Sequence, residues 1–176
     1  MAQLIMRWKN DGTPAKPLVF PQGVTLKTMP ELTNGIAQWL EIVKFMWQEP
    51  KDLPEDYYHQ AMTARPCYRE EQCHFLLMYG EPAATITVIC DYANKEGYIH
   101  MVAAKPRFRG RGLGNLLNDV ATVVLKREGM ETAYLTTDDW RIPAIKSYLK
   151  ADFYPDLETE PDFKERWEKI YREISH

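Results

Sequence analysis

Val102-Ala103-Ala104-Lys105-Pro106-Arg107-Phe108-Arg109-Gly110-Arg111-Gly112-Leu113-Gly114-Asn115 is the stretch on which the reading of the chain turns. Ahead of it, residues 97–104 read as a strand: Tyr98, Ile99, Met101 and Val102 are β-formers or apolar, and no helical stripe fits. Behind it, Leu113, Leu116, Leu117, Val120 and Val124 recur at helical spacing and define one face. The stretch is therefore a strand, a glycine-rich turn and a helix N-terminus. The first N–H groups of a helix have no partner within it and carry partial positive charge, which makes them an anion site. Gly110, Gly112 and Gly114 bring no side chain that would hold a phosphate away from the backbone, and Lys105, Arg107, Arg109 and Arg111 add cations. The pattern predicts a pyrophosphate held by the backbone from Gly110 to Asn115.

Two common pyrophosphate motifs fail on spacing. The dinucleotide fingerprint needs Gly-x-Gly-x-x-Gly, and here the glycines fall at 110, 112 and 114 with Asn115 next. A P-loop needs Lys and then Ser or Thr after its last glycine, and Gly114 is followed by Asn115 and Leu116. What fits is Arg-x-x-Gly-x-Gly over Arg109 to Gly114, after Pro106 and a strand ending in small apolar residues. This resembles the coenzyme A loop of the GNAT superfamily of N-acetyltransferases. Taken alone, the same six residues also read as a tight basic turn.

A second landmark, Arg141 to Phe153, sharpens the resemblance. Family members commonly carry Asn-x-x-Ala-Ile-x-x-Tyr, a short helix and then Gly-Phe. Here Ala144-Ile145, Tyr148 and Phe153 match, while Arg141 stands in the Asn position and Asp152 in the Gly position. The resemblance covers roughly residues 24–155 and says little about either terminus.

The chain in order gives a compatible layout. Residues 1–23 hold Pro14, Pro17 and Pro21 and read as an extended N-terminal arm, with a short strand at residues 4–8 as an option. The domain proper is expected over 24–158, and 159–176 should form a C-terminal helix packed on it through Phe163, Trp167, Ile170, Tyr171 and Ile174. Ile36, Leu40, Val43 and Trp47 predict a first helix. Asp52, Pro54 and Glu55 predict the start of a second, running to about Thr63. The aromatic residues from Trp39 to Tyr58 either pack the core or wall a substrate pocket. Strands at 74–79 and 83–90, split by Gly80-Glu81-Pro82, predict a hairpin leading into the strand at 97–104. A strand at 132–137, a helix starting near Asp138, Asp139 and Pro143, and a brief strand at 153–155 complete the order. The fold class is α/β (α+β), a mixed and mostly antiparallel sheet flanked by helices.

The totals set bounds on function. The 176 residues favour one domain, 45% hydrophobic content suffices for a core, and a net charge of -3 argues against nucleic acid as a partner. Leu4 to Met6 is too short an apolar run for a signal peptide or membrane span. Three cysteines without a Cys-x-x-Cys pair suit a reducing cytosol, so a cytoplasmic location is expected. They show no zinc spacing with His59, His74, His100 or His176, so no metal is expected. The C-terminal stripe can close the core or meet a second chain, which leaves monomer and homodimer open.

The resemblance implies acetyl-CoA as cosubstrate and an acetyl transfer to an amine, either on a small molecule or on a protein. It implies a V-shaped opening between two splayed strands, one of them ending at Val102, Ala103 and Ala104, whose backbone would bond the pantetheine arm and polarise the thioester carbonyl. Arg109, Gly110, Arg111, Gly112, Leu113, Gly114 and Asn115 would hold the pyrophosphate, and Arg141 would reach a phosphate or a substrate carboxylate. Tyr148 takes the general-acid position, protonated at neutral pH with a reference pKa of about 10; the plain alternative is a packed tyrosine with its hydroxyl satisfied. Some members carry Glu where this chain has Thr136, which cannot titrate near neutrality. His100, two residues before Val102 on an extended strand and so on the same face, is the substitute base. Asp138 and Asp139 are alternatives that read equally as helix caps, and an amine arriving deprotonated needs no base. The alternative function is a non-catalytic acyl-CoA-binding module, a sensor or scaffold.

Overall fold

The computed structural model describes residues 1–175, so His176 lies outside the described residues. Its centre is a seven-stranded sheet: β1 (Leu4–Lys9), β2 (Val24–Thr28), β3 (Cys73–Met78), β4 (Glu81–Asp91), β5 (Glu96–Ala104), β6 (Thr132–Thr137) and β7 (Tyr154–Pro155). The order across the sheet is β2-β3-β4-β5-β6-β1-β7. The helices are α1 (Gly35–Val43), α2 (Leu113–Arg127), α3 (Ile142–Lys150) and α4 (Phe163–Ile174). All described strand pairs are antiparallel except β5 with β6. A parallel pair needs a crossover connection, and α2 supplies it.

The strand alternation sorts side chains into two cores. Leu76, Val88, Ile99 and Leu135 meet Leu117, Val120 and Val124 of α2, Ile145 of α3, and Phe163 and Trp167 of α4. On the opposite face, Phe75 and Leu77 meet Trp39, Ile42 and Val43 of α1 together with Tyr58 and Met62. The β3–β4 hairpin turns at Tyr79 and Gly80, both at positive φ (49° and 83°), the conformation a two-residue turn needs to match strand twist.

The β4–β5 register carries the feature that makes the site. Thr85 pairs with Ala103, but Thr87 pairs with His100, so β5 spends one residue more than β4 over this step. Met101 absorbs the extra residue with φ 54°. This is a β-bulge, which bends its strand and increases local twist. On its other edge β5 pairs with β6 only from Glu96–Thr132 to Ile99–Leu135. Beyond that point β5 stays with β4, while Thr136 and Thr137 of β6 stay with Ile5 and Leu4 of β1. The two strands part, and a wedge opens between them.

Three expectations change. Within the segment read as an extended arm, the optional strand at residues 4–8 forms as β1, but as an integral strand paired with β6 on one side and β7 on the other, with Leu4 and Met6 fully buried. The first helix ends at Val43, so Trp47 lies outside it, and its buried stripe is Trp39, Ile42 and Val43 while Ile36 is exposed. Apolar residues surround this nine-residue helix, and the phase of its stripe is ambiguous in sequence. The second helix forms only from Tyr57 onward and closes as a π-helical turn at His59–Thr63; Asp52 caps nothing. Among the described residues no helix is long and apolar enough to cross a membrane.

Leu4 tests the place of β1. Leu4→Ala should cost about 3 kcal/mol, the usual result of emptying a buried leucine site, read by urea denaturation. A loss below about 0.5 kcal/mol, the surface value, would return residues 1–23 to a peripheral arm.

Candidate active site

Two cavities meet at the wedge. The larger, about 700 Å³, takes in Tyr98, His100, Val102, Thr136, Arg141 and Tyr148. The smaller, about 290 Å³, follows Val102, Ala103 and Ala104 toward Arg109 and Gly114, and Tyr148 and Arg141 line it too. The two share Val102 on one side and Tyr148 on the other, so an acyl donor and an acceptor entering from opposite ends would meet there. Met101 and Val102 have no partner in the β4 ladder, and β6 has already parted. The edge of β5 that faced β6 therefore has no strand partner at Val102, which is the requirement for pairing with an extended amide chain.

The smaller cavity leads to the start of α2. Gly110 and Gly112 sit at φ 74° and 77°, where only glycine is unstrained, and a Cβ on either would project into open space. Gly112 is the N-cap of α2, no side chain caps the helix, and its first turn carries no acid. The turn before α2 is thus open on its outer side and its first N–H groups have no side-chain cap, which fits a pyrophosphate. Leu113 contributes only its backbone, since its side chain is in the core. The Asn115 side chain accepts a hydrogen bond from Ser147 Oγ (2.9 Å), which receives one from Asn118 (2.7 Å), so Asn115 ties α2 to α3 rather than reaching outward.

The four loop cations divide into two pairs. Lys105 and Arg107 both bond Glu81, which neutralises that side. Arg109 donates to Ala104 O (3.3 Å) and Phe45 O (2.9 Å), and Arg111 lies against Met78 Sδ. Arg109 and Arg111 have no acid partner among the described residues and remain the charges available to a phosphate. Arg141 donates to the next carbonyl along, Met46 O (2.5 Å). Consecutive carbonyls of the loop after α1 are thus held by two arginines, which seats Met46 and Trp47 over the junction of the two cavities.

Tyr148 is 6% exposed and in contact range of Phe153. Among the described residues nothing hydrogen-bonds its hydroxyl, and the side chain lines both cavities, so it is not a packed tyrosine with a satisfied OH. Burial pushes its pKa up to about 12, opposed by the Arg141 charge, so it is a phenol at every physiological pH.

The structure corrects the expected base. The bulge at Met101 breaks the alternation, so His100 does not share a face with Val102: Met101 and Ala103 pack in the α1-side core, while Val102 and Ala104 pack with the α2 side. His100 Nε2 bonds Ala61 O (2.8 Å), which requires Nε2 to carry the hydrogen, and Nδ1 lies 3.1 Å from the Tyr98 hydroxyl. Burial, against the Ala61 bond that raises it, lowers its pKa to about 4. A neutral imidazole engaged at both nitrogens argues against the base role, while its side chain still lines the larger cavity. Asp138 and Asp139 do not cap α3, and each faces an arginine. Asp138 accepts from Gln3 Nε2 (3.0 Å) and lies at ion-pair distance from Arg141 Nε (3.1 Å). Asp139 is bonded twice by Arg166 of α4, which holds its carboxyl below the usual range. The N-cap of α3 is Arg141, with no side-chain cap.

Sequence reasoning missed Gln3, Arg65, Tyr98 and Trp140 as lining residues. Trp39 and Tyr58 are core, while Trp47 walls the cleft. The loop after Tyr154 lines a separate cavity with Arg7.

Comparison with known proteins places this geometry. A family model described as the acetyltransferase (GNAT) family matches residues 36–153. The chain belongs to this family. No curated protein sequence matches it. Among solved structures, a GCN5-related N-acetyltransferase from Sphaerobacter thermophilus superposes with TM-score 0.65 at 20% identity, covering 89% of this chain and 50% of that one. The chain thus spans half the length of that structure. The ribosomal-protein-S18-alanine N-acetyltransferase from Escherichia coli superposes with TM-score 0.59 at 19% identity over 72% of this chain and 75% of its own. A NatC complex bound to Gag peptide and CoA gives 0.58 at 19% identity over 73% and 83%. These likenesses establish the GNAT fold.

The state of His100 predicts a pH profile. Its folded pKa lies below the unfolded value near 6.5, so the unfolded chain binds the proton first, and the stability present above pH 6.5 is lost as pH falls toward 4. The interval corresponds to roughly 3 kcal/mol at 1.36 kcal/mol per unit. Urea denaturation at pH 7.5 and 4.5 should show a smaller difference in His100→Gln than in the unsubstituted protein. Equal differences would mean that His100 is not held neutral.

Proposed function

We propose that this GNAT chain is an N-acetyltransferase that moves the acetyl group of acetyl-CoA to an amine by direct attack on the thioester. The observation that carries the reading is the junction: a donor channel running to the start of α2 and an acceptor cleft meet at Val102 and Tyr148. The donor channel would take the pantetheine arm along the backbone of Val102, Ala103 and Ala104. The pyrophosphate would lie on the Gly110–Asn115 turn with Arg109 and Arg111. A backbone N–H at Val102 would face the carbonyl oxygen as charge develops on it.

The amine nitrogen attacks the thioester carbonyl carbon and the carbon–sulfur bond breaks. The departing thiolate takes the Tyr148 proton, and solvent restores it. Desolvation makes the buried phenol a weak acid, and the Arg141 charge offsets part of that effect. The amine must also lose a proton. Thr136 does not titrate near neutrality, His100 is engaged at both nitrogens, and Asp138 and Asp139 are bonded to arginines. The amine is therefore read as entering in its neutral form and releasing its second proton to water after attack. The same lack of a free base favours a second reading, a module that binds acyl-CoA without turning it over.

Thiol release separates the two. With acetyl-CoA and an accepted amine, Tyr148→Phe should lower kcat about 100-fold, within the usual range for a general acid, with little change in KM for acetyl-CoA. Unchanged kcat would remove Tyr148 from the chemistry. Saturable acetyl-CoA binding without thiol release on any amine would favour the binding module.

A further inference from the structure

The charges of the acceptor cleft do not balance. Its ionic lining is Glu49, Lys51, Arg65, Asp138 and Arg141. Arg141 and Asp138 face each other at ion-pair distance, Arg141 also donates to Met46 O, and Asp138 accepts from Gln3. The Lys51 ammonium lies 4.2 Å from the centre of the Trp47 ring and has no carboxylate within ion-pair distance among the described residues. Arg65 has neither an acid partner nor any side-chain hydrogen bond among them. Glu49 is the single unpaired acid of this lining among the described residues, and like Lys51 and Arg65 it is exposed. Two free cations therefore face one free anion.

The Arg65 backbone is anchored, while its side chain is exposed and makes no hydrogen bond among the described residues. Its N–H bonds Met62 O, Pro66 follows it, and the turn it ends is fastened to the floor of the cleft through His100 Nε2 and Ala61 O. That floor is a row of rings: His100 and Tyr98 are 5.0 Å apart, and Tyr98 stacks on Tyr134 at 4.7 Å. The Arg65 charge is felt at His100, Tyr134 and Tyr57. Arg65 also lines a neighbouring cavity of about 190 Å³ together with Asp91 and Glu96, neither of which lies within ion-pair distance of it. Asp91 is occupied by the turn at Ala93 and Asn94.

We infer that Arg65 is the receptor for an anionic group on the acceptor, so that the substrate is an amine that also bears a carboxylate or a phosphate. The inference rests on the acetyltransferase reading above. A guanidinium presents a planar fork of donors matched to either oxyanion, and it binds most strongly where no protein acid competes. The same charges act on the amine. A cation near an ammonium disfavours the charged form and lowers its pKa, which supplies the neutral nucleophile that a cleft without a free base requires. A plain alkylammonium meets Lys51 and Arg65 with Glu49 as the one unpaired acid to offset them. An amine carrying an anion pairs with Arg65 and places its nitrogen toward Tyr148 within the same cavity of about 700 Å³, a volume suited to a small molecule.

The test uses matched acceptors, tyrosine against tyramine for a carboxylate and phosphoethanolamine against ethanolamine for a phosphate, with acetyl-CoA binding measured in parallel. The expected result is a kcat/KM at least tenfold higher for the anionic member of one pair. Arg65→Gln should remove that preference through KM while leaving acetyl-CoA affinity unchanged. Arg65→Lys should restore part of it, which a merely structural role would not predict. Acceptance of the neutral amines as readily as the anionic ones, a preference that survives Arg65→Gln, or bound acetyl-CoA with no anionic amine accepted would each overturn the inference. Amines without an anionic group turned over as readily as their anionic counterparts would sink this inference and leave the acetyltransferase reading standing. Failure to bind acetyl-CoA would sink both.

Discussion

Where β4 advances from Thr85 to Thr87, β5 advances from Ala103 to His100, and Met101 takes a left-handed backbone to fit the additional residue. The site depends on that local misfit. A regular β5 would continue its pairing with β6 past Ile99 and Leu135 and close the sheet. The bulge turns β5 away with β4 while β6 remains bound to β1, and the gap that results exposes backbone at Val102 on the line between the two cavities. An unpaired β-branched or unbranched residue at φ 54° is costly. Met101 is 9% exposed in the α1-side core, whose packing helps to hold that conformation.

Electrostatics then divides the opening into two ends. On the donor side, Glu81 takes up Lys105 and Arg107, which leaves Arg109, Arg111 and the uncapped start of α2 as a compact positive surface. On the acceptor side, Asp138 and Arg141 neutralise each other, and Asp139 is tied to Arg166 of α4. The latter contact couples the C-terminal helix to the loop that carries Trp140 and Arg141. Between the two ends, Tyr148 is buried enough to stay protonated and unbonded enough to donate.

Much of this was legible in sequence because it rests on local signals. Glycine placement and the 3.6-residue stripe located the turn and α2, and Ala144-Ile145 with Tyr148 located α3. The parts that were not legible are those set by pairing across the sheet. Nothing in the order Tyr98-Ile99-His100-Met101-Val102 announces a bulge, so the face of His100 was read one residue out of phase. Three prolines nearby made residues 1–23 look peripheral, although Leu4, Met6 and Trp8 alternate as a buried strand should. Arg65 gave no motif at all, because what marks it is that no acid pairs with it among the described residues, and tertiary placement rather than a sequence pattern sets that.

The most direct measurement is thermal unfolding in acetyl-CoA, CoA, ATP or buffer. Ligand at about 100 times its dissociation constant adds roughly 2.7 kcal/mol to the folded state. For a chain of this size that raises the midpoint by about 5 to 10 °C. The account predicts such a rise with both CoA forms and none with ATP, because the wedge at Val102 and the turn at Gly110–Asn115 must act together. No rise with either CoA form at millimolar concentration would contradict the assignment of the wedge as the acetyl-CoA site.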